Sequence, residues 1–395
     1  SGLSDYYFTS DKLEAYGNGN LLKGGLVYAD RITTVSRSYA SEIRMPFYGE
    51  GLDGLLRARS KQLSGIVNGI DYNVYNPKTD KDIAVNYSVE DAIKAKAANK
   101  TALQKELGLE ENPDAFMLGI VSRLTDQKGL DLVECVLDQI CAEDVQLVVL
   151  GTGEGKYQDM FTYYSRKYPE RVSANIFYSE ALSHRIYASC DAFLMPSLFE
   201  PCGLSQLMSL RYGTLPIVRE TGGLRDTVTP YNEVDGTGTG FSFTNYNAHE
   251  MLAIIRYAKK TYFNDRKAWN EMVLRAMKQD FSWDASAREY EKLYDGLIEE
   301  EERRKEAIRL QQAREAAEAA LKEAEKALEL AKRAEEKAIR KFSGIEDEPE
   351  DEKAEISKAE EIDETPEAAP ESEEVTEVLE TPETPEEAEE TAVEE

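Results

Sequence analysis

Residues 115–141 read AFMLGIVSRLTDQKGLDLVECVLDQIC. The first nine residues form an apolar run that ends in Ser-Arg, and the last twelve repeat leucine, valine and isoleucine at helical spacing. A buried strand followed by an amphipathic helix is the repeating unit of a parallel sheet. The stretch therefore predicts the first strand and the first helix of an α/β domain.

The same alternation continues through residue 220. Helical patterns separate four further apolar runs that we predict as strands: VQLVVLGTG (145–153), NIFYSE (175–180), DAFLMPS (191–197) and LPIVRE (215–220). Repeated strand and helix units predict a doubly wound parallel sheet with helices on both faces. Ligands of such sheets bind beyond the carboxyl ends of the strands. The residues that follow these strands should therefore line one crevice.

Changes in composition divide the chain into five segments. The first holds only two candidate core strands, RITTVS (31–36) and SGIVNGI (64–70), which are too few for a lobe, so we expect the chain to begin inside a domain. The predicted segments are residues 1–75, the end of a first lobe; 76–114, a crossing between lobes; 115–298, the ligand-binding lobe; 299–342, a charged helix; and 343–395, an acidic tail.

The charge of the chain argues against several classes of function. The formal net charge is −29, and residues 343–395 carry 24 acidic side chains against Lys353 and Lys358. The remaining residues are mildly acidic and have no basic patch for nucleic acid. No run approaches the ~18 apolar residues of a membrane span. We therefore expect a bacterial cytoplasmic protein that binds neither nucleic acid nor membrane, with the plastid stroma as the alternative location.

Histidine and cysteine usage argues against a metal centre or a disulfide framework. His184 and His249 are the two histidines of the chain, and the four cysteines have irregular spacing. The Asp80-Lys81-Asp82 sequence has the form of a metal-binding D-x-D motif. Because it lies in a polar linker, we interpret its carboxylates as solvated. We predict no metal and no other cofactor.

Residues 299–342 have 12 acidic and 12 basic side chains. Small apolar residues recur there in a four-three spacing, namely Ala317, Leu321, Ala324, Leu328 and Ala331. This spacing fits a weak coiled-coil seam through which the protein would self-associate. A single charge-laced helix is the alternative, and we favour it. The Pro/Glu/Thr-rich residues 343–395 predict a disordered tail.

A glycine-rich turn follows the second predicted strand. Its sequence is GTGEGK (151–156). A dinucleotide fingerprint would need a third glycine where Lys156 stands, and a phosphate loop would need Ser or Thr where Tyr157 stands. We therefore interpret the turn as a place where a ligand approaches the backbone, with Gly151 and Gly153 as candidate binding residues.

A pair of cations near an acid indicates a ligand site more strongly than the glycine-rich turn does. Arg123 follows the first predicted strand and Lys128 follows five residues later, so a turn can direct both at one anion. Glu200 ends the run DAFLMPSLFE and should stand opposite the cations across the crevice. The helix pattern that starts after residues 201–203 offers free N–H groups to an anion. A diphosphate would bridge the cations and this helix start, which leaves Glu200 for sugar hydroxyls.

Four stretches together resemble a known family: GIVSRLTDQKGLDL (119–132), SHRIYASCDAFLMPSLFEPCGLSQL (183–207), RYGTLPIVRETGGLRDTV (211–228) and DFSW (280–283). They resemble the retaining GT-B glycosyltransferases that include bacterial glycogen synthases and plastid starch synthases. The resemblance runs from about Gly17 to Tyr294. Met208 stands where the wider E-x7-E pattern of retaining GT-B enzymes would have its second Glu, which favours the glycogen and starch synthase branch.

The resemblance implies a GT-B fold, with a nucleotide-sugar lobe at 115–298. It implies that Arg123 and Lys128 hold the donor diphosphate and that Glu200 contacts the donor glucose, so these three are the candidate catalytic residues. The other donor contacts that it implies are Tyr178 stacking on adenine, Leu204 and Ser205 with the adjacent Gly203 at the phosphates, and Asn68 at the mouth between the lobes. Cys202 lies inside the motif, and we interpret it as a buried packing residue.

The resemblance also implies a reaction. Glucose would pass from ADP-glucose to the non-reducing end of an α-1,4-glucan with retention of configuration and without a metal. The K-x-G-G-L loop and the histidine of the family's first lobe do not occur here, so we expect an N-terminally truncated synthase that is inactive alone. The alternatives are a GT-B transferase for another nucleotide sugar and a non-catalytic module that associates with a partner or with glucan.

Overall fold

The computed structural model describes residues 2–344. The chain forms two compact units, Ser1–Arg303 and Arg304–Glu395. The predicted disordered tail, from residue 345 onward, lies outside the described residues. The first unit contains the sheet and all the candidate site residues.

The described part of the chain has short strands at its beginning and longer ones from residue 116 onward. The strands are β1 Glu14–Ala15, β2 Asn18–Gly19, β3 Ile32–Thr34, β4 Leu63–Gly65, β5 Phe116–Val121, β6 Val145–Leu150, β7 Val172–Asn175, β8 Ala192–Met195, β9 Leu215–Arg219 and β10 Phe241–Phe243. The helices are α1 Leu21–Tyr28, α2 Arg37–Glu42, α3 Asp53–Ala58, α4 Ala92–Leu107, α5 Leu130–Ala142, α6 Gly155–Lys167, α7 Glu180–Ser189, α8 Ser205–Arg211, α9 Gly222–Thr227, α10 Ala248–Asn264, α11 Arg266–Met277 and α12 Trp283–Phe342, with 3-10 turns at Asp5–Tyr7 and Asp126–Lys128.

A parallel sheet forms the centre of the first unit. Within the described residues it has six strands in the order β7-β6-β5-β8-β9-β10, and every neighbouring pair is parallel. The predicted doubly wound parallel sheet is confirmed. After β5 the chain adds β6 and β7 on one side. It then returns to place β8 on the other side of β5 and continues outward to β9 and β10. This change of direction opens a crevice at the carboxyl ends of β5 and β8, where ligands of such sheets bind.

Burial explains why these segments become strands and helices. Every residue of β6 is buried, and so are all residues of β5 before Val121, as expected for strands that are covered on both faces. In α5 the buried residues recur at steps of three and four, so one face of the helix packs on the core. The rings of Phe116, Tyr262 and Trp269 meet edge to face in the same core.

The third strand of the sheet lies earlier in the chain than predicted. The sequence predicted a strand over 175–180, whereas β7 is Val172–Asn175. The chain leaves the sheet at Asn175 because β6, the neighbour of β7, ends at the paired Leu150. Phe177 and Tyr178 are exposed and belong to the loop that leads to α7. The sequence analysis also missed β10, a three-residue strand that follows a glycine-rich stretch.

The two candidate strands of the first segment pair with each other. They are β3 and β4, which run parallel. The helix that follows β3 attaches this segment to α9: the Ser38 backbone N–H donates to the Asp226 carboxylate at 3.0 Å. The Glu42 carboxylate accepts from the Gly222 backbone N–H at 2.8 Å. These bonds hold α9 at both ends, at Gly222 and at Asp226.

Residues 76–114 include α4, which lies against α7. Two of its lysines, Lys96 and Lys100, are buried, and Lys96 Nζ donates to the Thr214 hydroxyl at 2.7 Å. Lys100 Nζ lies 2.6 Å from the Asp191 carboxylate, and both side chains are almost fully buried. Burial lowers the pKa of Lys96 to about 7. Because Asp191 immediately precedes β8, the buried ion pair ties α4 to the start of that strand.

The interpretation of Asp80 as a solvated loop residue is wrong. Asp80 is 7% exposed, and its carboxylate accepts from the Tyr212 hydroxyl at 2.5 Å. The same oxygen lies 2.7 Å from His184 Nδ1. The two partners are 132 and 104 residues away along the chain, so the local sequence of the linker carries no trace of them. Asp82, in contrast, is exposed.

The described residues of the second unit belong to α12 and the short turn after it. Oppositely charged side chains lie one turn apart along the helix, as in Arg314–Glu318 at 3.4 Å and Arg333–Glu329 at 2.9 Å. This arrangement is typical of a charge-laced single helix. Self-association through the alanine and leucine seam stays a prediction. In the part of the chain that the structure describes, no helix is long and apolar enough to cross a membrane.

Candidate active site

Two loops meet at the crevice between β5 and β8. One follows β5 and ends in the 3-10 turn Asp126–Lys128, and the other follows β8. The Leu198 backbone N–H donates to the Gln127 carbonyl at 2.9 Å, and the Gln127 side chain donates to the Phe199 carbonyl at 3.3 Å. The loops therefore form one continuous wall of the crevice.

A glycine makes this close approach possible. Gly129 has φ +70°, and a Cβ atom at this position would lie 2.0 Å from the Pro196 carbonyl oxygen. A side chain would thus clash with the backbone of the second loop and would also strain the left-handed conformation. Because Lys128 precedes this glycine directly, the position of the lysine depends on the same close packing.

Lys128 and Glu200 form an ion pair in this wall. Lys128 Nζ lies 2.6 Å from Glu200 Oε2, and their side chains are 15% and 8% exposed. The Ser197 hydroxyl donates to the same oxygen at 3.0 Å. The expectation that Glu200 stands opposite the cations is therefore wrong for Lys128. The reason is the switch in strand order, which makes β5 and β8 neighbours and brings their loops together.

Arg123 lies at the open side of the same loop. Its side chain is exposed, and its guanidinium donates to the Gln127 side chain at 3.1 Å. The acid of this loop, Asp126, is engaged elsewhere: its carboxylate lies 2.5 Å from Lys156 Nζ and accepts from the Tyr157 hydroxyl at 2.5 Å. These two bonds lower the pKa of Asp126. The loop therefore presents Arg123 to the crevice without an acidic partner from Asp126.

The structure gives Gly151 and Gly153 a packing role. Cβ atoms on these residues would lie 1.9 Å from the Ser122 carbonyl oxygen and 2.2 Å from the Leu124 carbonyl oxygen. The turn after β6 therefore packs against the loop after β5, and the Leu124 backbone N–H donates to the Thr152 carbonyl at 2.8 Å. The space that the glycines leave is filled by the protein's own backbone. Contact of either glycine with a donor stays a prediction.

The segment after Glu200 leads into α8 by a tight turn. Gly203 has φ +69°, Leu204 is partly exposed, and Ser205 is the first residue of the helix. In the described structure no side chain caps the start of α8, so its first N–H groups are available to an anion. Cys202 is buried, as predicted, and burial raises the pKa of its thiol to about 11, which makes it unreactive.

The two remaining candidates lie toward the edges of this region. Tyr178 is 85% exposed in the loop after β7, two strands away from β5, which corresponds to about 10 Å across the sheet. Asn68 borders a cavity of about 410 Å³ together with Asp226 and residues of the chain around Phe281. Tyr178 is thus open to a ligand, whereas Asn68 is half-buried at the edge of its cavity.

Arg219 ends β9 at the crevice, as its place at a strand end predicts, but the sequence predicts no partner for it. This arginine is 8% exposed, and its guanidinium donates to the Ser197 carbonyl at 2.9 Å and the Leu198 carbonyl at 2.5 Å. The β8 loop is thus held by Gln127 on one side and by Arg219 on the other. The sequence contains one indication of this role. The arginine ends the apolar strand LPIVR, and a buried cation needs hydrogen-bond acceptors around it.

Comparisons with known proteins show what this chain is similar to. The family model described as "Starch synthase catalytic domain" matches residues 1–58, and the model "Glycosyl transferases group 1" matches residues 101–273. The glycogen synthase of Lachnospira eligens is 70% identical over 297 residues, which are 75% of this chain and 62% of that protein. The glycogen synthase of Clostridium acetobutylicum is 53% identical over 296 residues, with the same shares.

A solved structure of a starch synthase is also similar to this chain. The catalytic domain of starch synthase IV from Arabidopsis thaliana, bound to ADP and acarbose, superposes with a TM-score of 0.70 and 34% identity over 74% of this chain and 62% of that one. The chain resembles the glycogen synthases and starch synthases in sequence and in structure. Its fold is a GT-B-like α/β fold. The chain spans 62% of the length of the bacterial relatives that it matches.

The close packing at Gly129 yields a testable prediction. We expect Gly129→Ala to lower the free energy of unfolding by at least ~1–2 kcal/mol, the usual cost of a left-handed conformation for an L-residue, because the clash with Pro196 adds to it. Urea denaturation measures the change. Gly155→Ala is the matched control, since it has no positive φ and open space around its Cβ position. Equal stability of the two variants would contradict the packing argument.

Proposed function

We propose that the protein carrying these residues transfers glucose from ADP-glucose to the non-reducing 4-hydroxyl of an α-1,4-glucan, with retention at the anomeric carbon. Similarity to glycogen synthases and starch synthases supports this reaction, and the similar Arabidopsis structure is bound to ADP and acarbose. The observation that carries the proposal is the contact of Lys128 with Glu200 in the crevice wall at the switch point, with the Arg123 guanidinium bonded to Gln127 of the same loop.

Each wall residue then has a role that its chemistry supports. Arg123 offers a planar fork and Lys128 a point charge to the diphosphate of the donor. The uncapped start of α8, at Leu204 and Ser205 beside Gly203, adds N–H groups for the same anion. Glu200 contacts the hydroxyls of the donor glucose.

The nucleoside and the acceptor extend this site in two directions. We assign the adenine to the exposed ring of Tyr178, which offers an aromatic face for stacking. Asn68 is a donor contact at the mouth between the lobes, and Gly151 and Gly153 line the donor side. In this proposal residues 115–298 are the nucleotide-sugar lobe, residues 1–75 are the end of the acceptor-side lobe, and residues 76–114 connect them.

The roles of the cations in glucose transfer follow from the negative charge that develops on the departing diphosphate. The bond between the anomeric carbon and the phosphate oxygen breaks, and its electron pair passes to the departing diphosphate. Lys128 and Arg123 stabilise that growing negative charge, and such fixed charges are often the largest single contribution to catalysis. The acceptor 4-hydroxyl oxygen bonds to the anomeric carbon from the same face. Its proton passes to the leaving phosphate oxygen, which preserves the configuration.

The ion pair of Lys128 with Glu200 fits this sequence of events. A carboxylate 2.6 Å from the lysine ammonium holds it at the crevice wall before the donor arrives. The incoming diphosphate competes for the same ammonium, so Glu200 becomes available to the sugar as Lys128 turns to phosphate. A buried pair of this kind is worth little as a source of stability, which favours a role in function.

The diphosphate role of the two cations is testable by calorimetry. In a full-length synthase with this sequence, we expect Arg123→Ala and Lys128→Ala each to weaken ADP binding by ~1.5–3 kcal/mol, the range for charge-assisted hydrogen bonds. Lys167→Ala is the matched control, because its ammonium pairs with Asp138 on exposed parts of α6 and α5, outside the wall. Unchanged ADP affinity in both test variants would contradict the proposal.

The proposed contact of Glu200 with the sugar predicts the opposite result, a loss of turnover without a loss of ADP affinity. We expect Glu200→Gln to reduce turnover by at least ~100-fold, as for the loss of an electrostatic contact in a transition state. ADP affinity should stay the same or rise, because Lys128 is freed for the diphosphate. Steady-state glucose transfer and ADP titration on the same protein measure both quantities. A parallel loss of ADP affinity and turnover would assign the carboxylate to the nucleotide or to the fold instead.

A further inference from the structure

The two carboxylate oxygens of Glu200 have different surroundings. Both partners of the side chain contact Oε2, namely Lys128 Nζ at 2.6 Å and the Ser197 hydroxyl at 3.0 Å. Within residues 2–344, Oε1 makes no hydrogen bond, and it is not one of the buried atoms that lack a partner there. Oε1 therefore keeps contact with solvent, although the side chain as a whole is only 8% exposed. This arrangement leaves one oxygen of the acid free for a ligand.

Ser197 lies in the loop after β8 and is fully buried. Its backbone carbonyl accepts from Arg219 Nε at 2.9 Å. The next residue, Leu198, donates its backbone N–H to the Gln127 carbonyl at 2.9 Å. On a backbone that is held in this way, a serine oxygen has three staggered positions, and close packing can keep it in one of them. The hydroxyl is therefore directed at Glu200 before a ligand binds.

The hydrogen bond between Ser197 and Glu200 is an interaction with the acid itself. A carboxylate that is paired with an ammonium accepts hydrogen bonds, so the serine hydroxyl is the donor. Among residues 2–344 this hydroxyl makes no other hydrogen bond. A Ser-x-x-Glu sequence can also cap a helix, in which case the serine oxygen accepts from the backbone. Residues 197–200 lie in a loop, however, and the bond joins the two side chains.

The two contacts of Oε2 differ in what happens to them when a donor binds. In the proposed reaction the diphosphate competes with Glu200 for Lys128. A carboxylate as buried as that of Glu200 is costly to leave without any partner. The Ser197 hydroxyl cannot follow the lysine, because it is buried and its backbone is fixed. The serine bond therefore stays on Oε2 while the lysine leaves it.

We propose that Ser197 is a positioning residue for glucose transfer: its hydroxyl holds Oε2 of Glu200 after Lys128 has turned to the diphosphate, so that Oε1 faces the hydroxyls of the donor glucose. This inference rests on the function proposed above and adds to it the group that orients the acid. Ser197 contacts neither the sugar nor the diphosphate, and it acts only through Glu200. The sequence analysis assigned this serine no role.

Turnover and ADP affinity of Ser197→Ala test the proposal in a full-length synthase with this sequence. We expect turnover to fall by ~10-fold or more, the effect of losing a hydrogen bond to a charged group, because Glu200 is no longer held in the reacting geometry. ADP affinity should stay unchanged, since Arg123, Lys128 and the start of α8 are all retained. Steady-state glucose transfer and ADP titration on the same protein measure the two quantities.

Ser209→Ala is the matched control. Ser209 is also fully buried, but its hydroxyl donates to the Gln206 carbonyl within α8, at 2.9 Å, and not to Glu200. The substitution removes the same atom from an equally buried position, so turnover should stay at the parent level. A loss of turnover as large as that of Ser197→Ala would show that removal of any buried hydroxyl near the site has this effect, and it would overturn the proposal.

A second readout separates positioning from a general effect on the loop. Ser197→Ala is repeated in a Glu200→Gln background, where radiolabelled glucose transfer follows the residual turnover. Because the serine acts through the carboxylate, its removal should reduce turnover by a much smaller factor there than in the parent. A general effect on the loop would instead reduce turnover by the same factor in both backgrounds. It would also weaken ADP binding, since Lys128 lies in the same wall.

Two further results would overturn the proposal. One is parent-level turnover in Ser197→Ala. The other is an equal loss of turnover from this substitution in the two backgrounds. Both differ from a failure of the proposed function, in which the parent synthase would not transfer glucose from ADP-glucose, or Glu200→Gln would keep full turnover. The role of Ser197 would then fall together with the role of Glu200.

Discussion

The reversal of strand order between β5 and β8 is the constraint on which the site depends. Gly119 of β5 and Phe193 of β8 are 74 residues apart along the chain. The two strands become neighbours in the sheet only because the chain returns to β5 after building β6 and β7. Their following loops must then share the same edge. All the interactions of the crevice wall, including the contact of Lys128 with Glu200, follow from this topology.

The wall is held by contacts that do not involve its reactive groups. Gln127 and Arg219 bond to the backbone of the β8 loop from opposite sides, and Gly129 lets the two loops approach. Such supporting contacts fix the charged groups before a ligand binds, which is how preorganised sites lower the cost of reorganisation. The attachment of α2 to α9 through Glu42 extends the support to the first segment of the chain.

The parts of the structure that the sequence predicted are those encoded by local patterns. Strands such as Val145–Leu150 are continuous apolar runs, and α5 has a clear helical period, so both were predicted. The loop at Tyr178 was assigned to a strand because its apolar residues resemble one, while the register with β6 is set by distant pairing.

Local sequence patterns do not encode electrostatic contacts between distant segments of the chain. The residues of the crevice were identified by their position after strands, but Lys128 and Glu200 were assigned to opposite sides because their contact spans 72 residues. The burial of Asp80 was missed for the same reason. A motif specifies which chemistry is present, and only the tertiary structure specifies which groups touch.

A crystal structure of the chain with ADP bound tests the central claim most directly. The claim is that the wall formed by the loops after β5 and β8 binds the donor diphosphate. The account predicts diphosphate oxygens at about 3 Å from the Arg123 guanidinium and from Lys128 Nζ, with the Lys128 ammonium turned from Glu200 toward the anion. A nucleotide whose diphosphate lies elsewhere, with the Lys128 and Glu200 pair intact and Arg123 uninvolved, would contradict it.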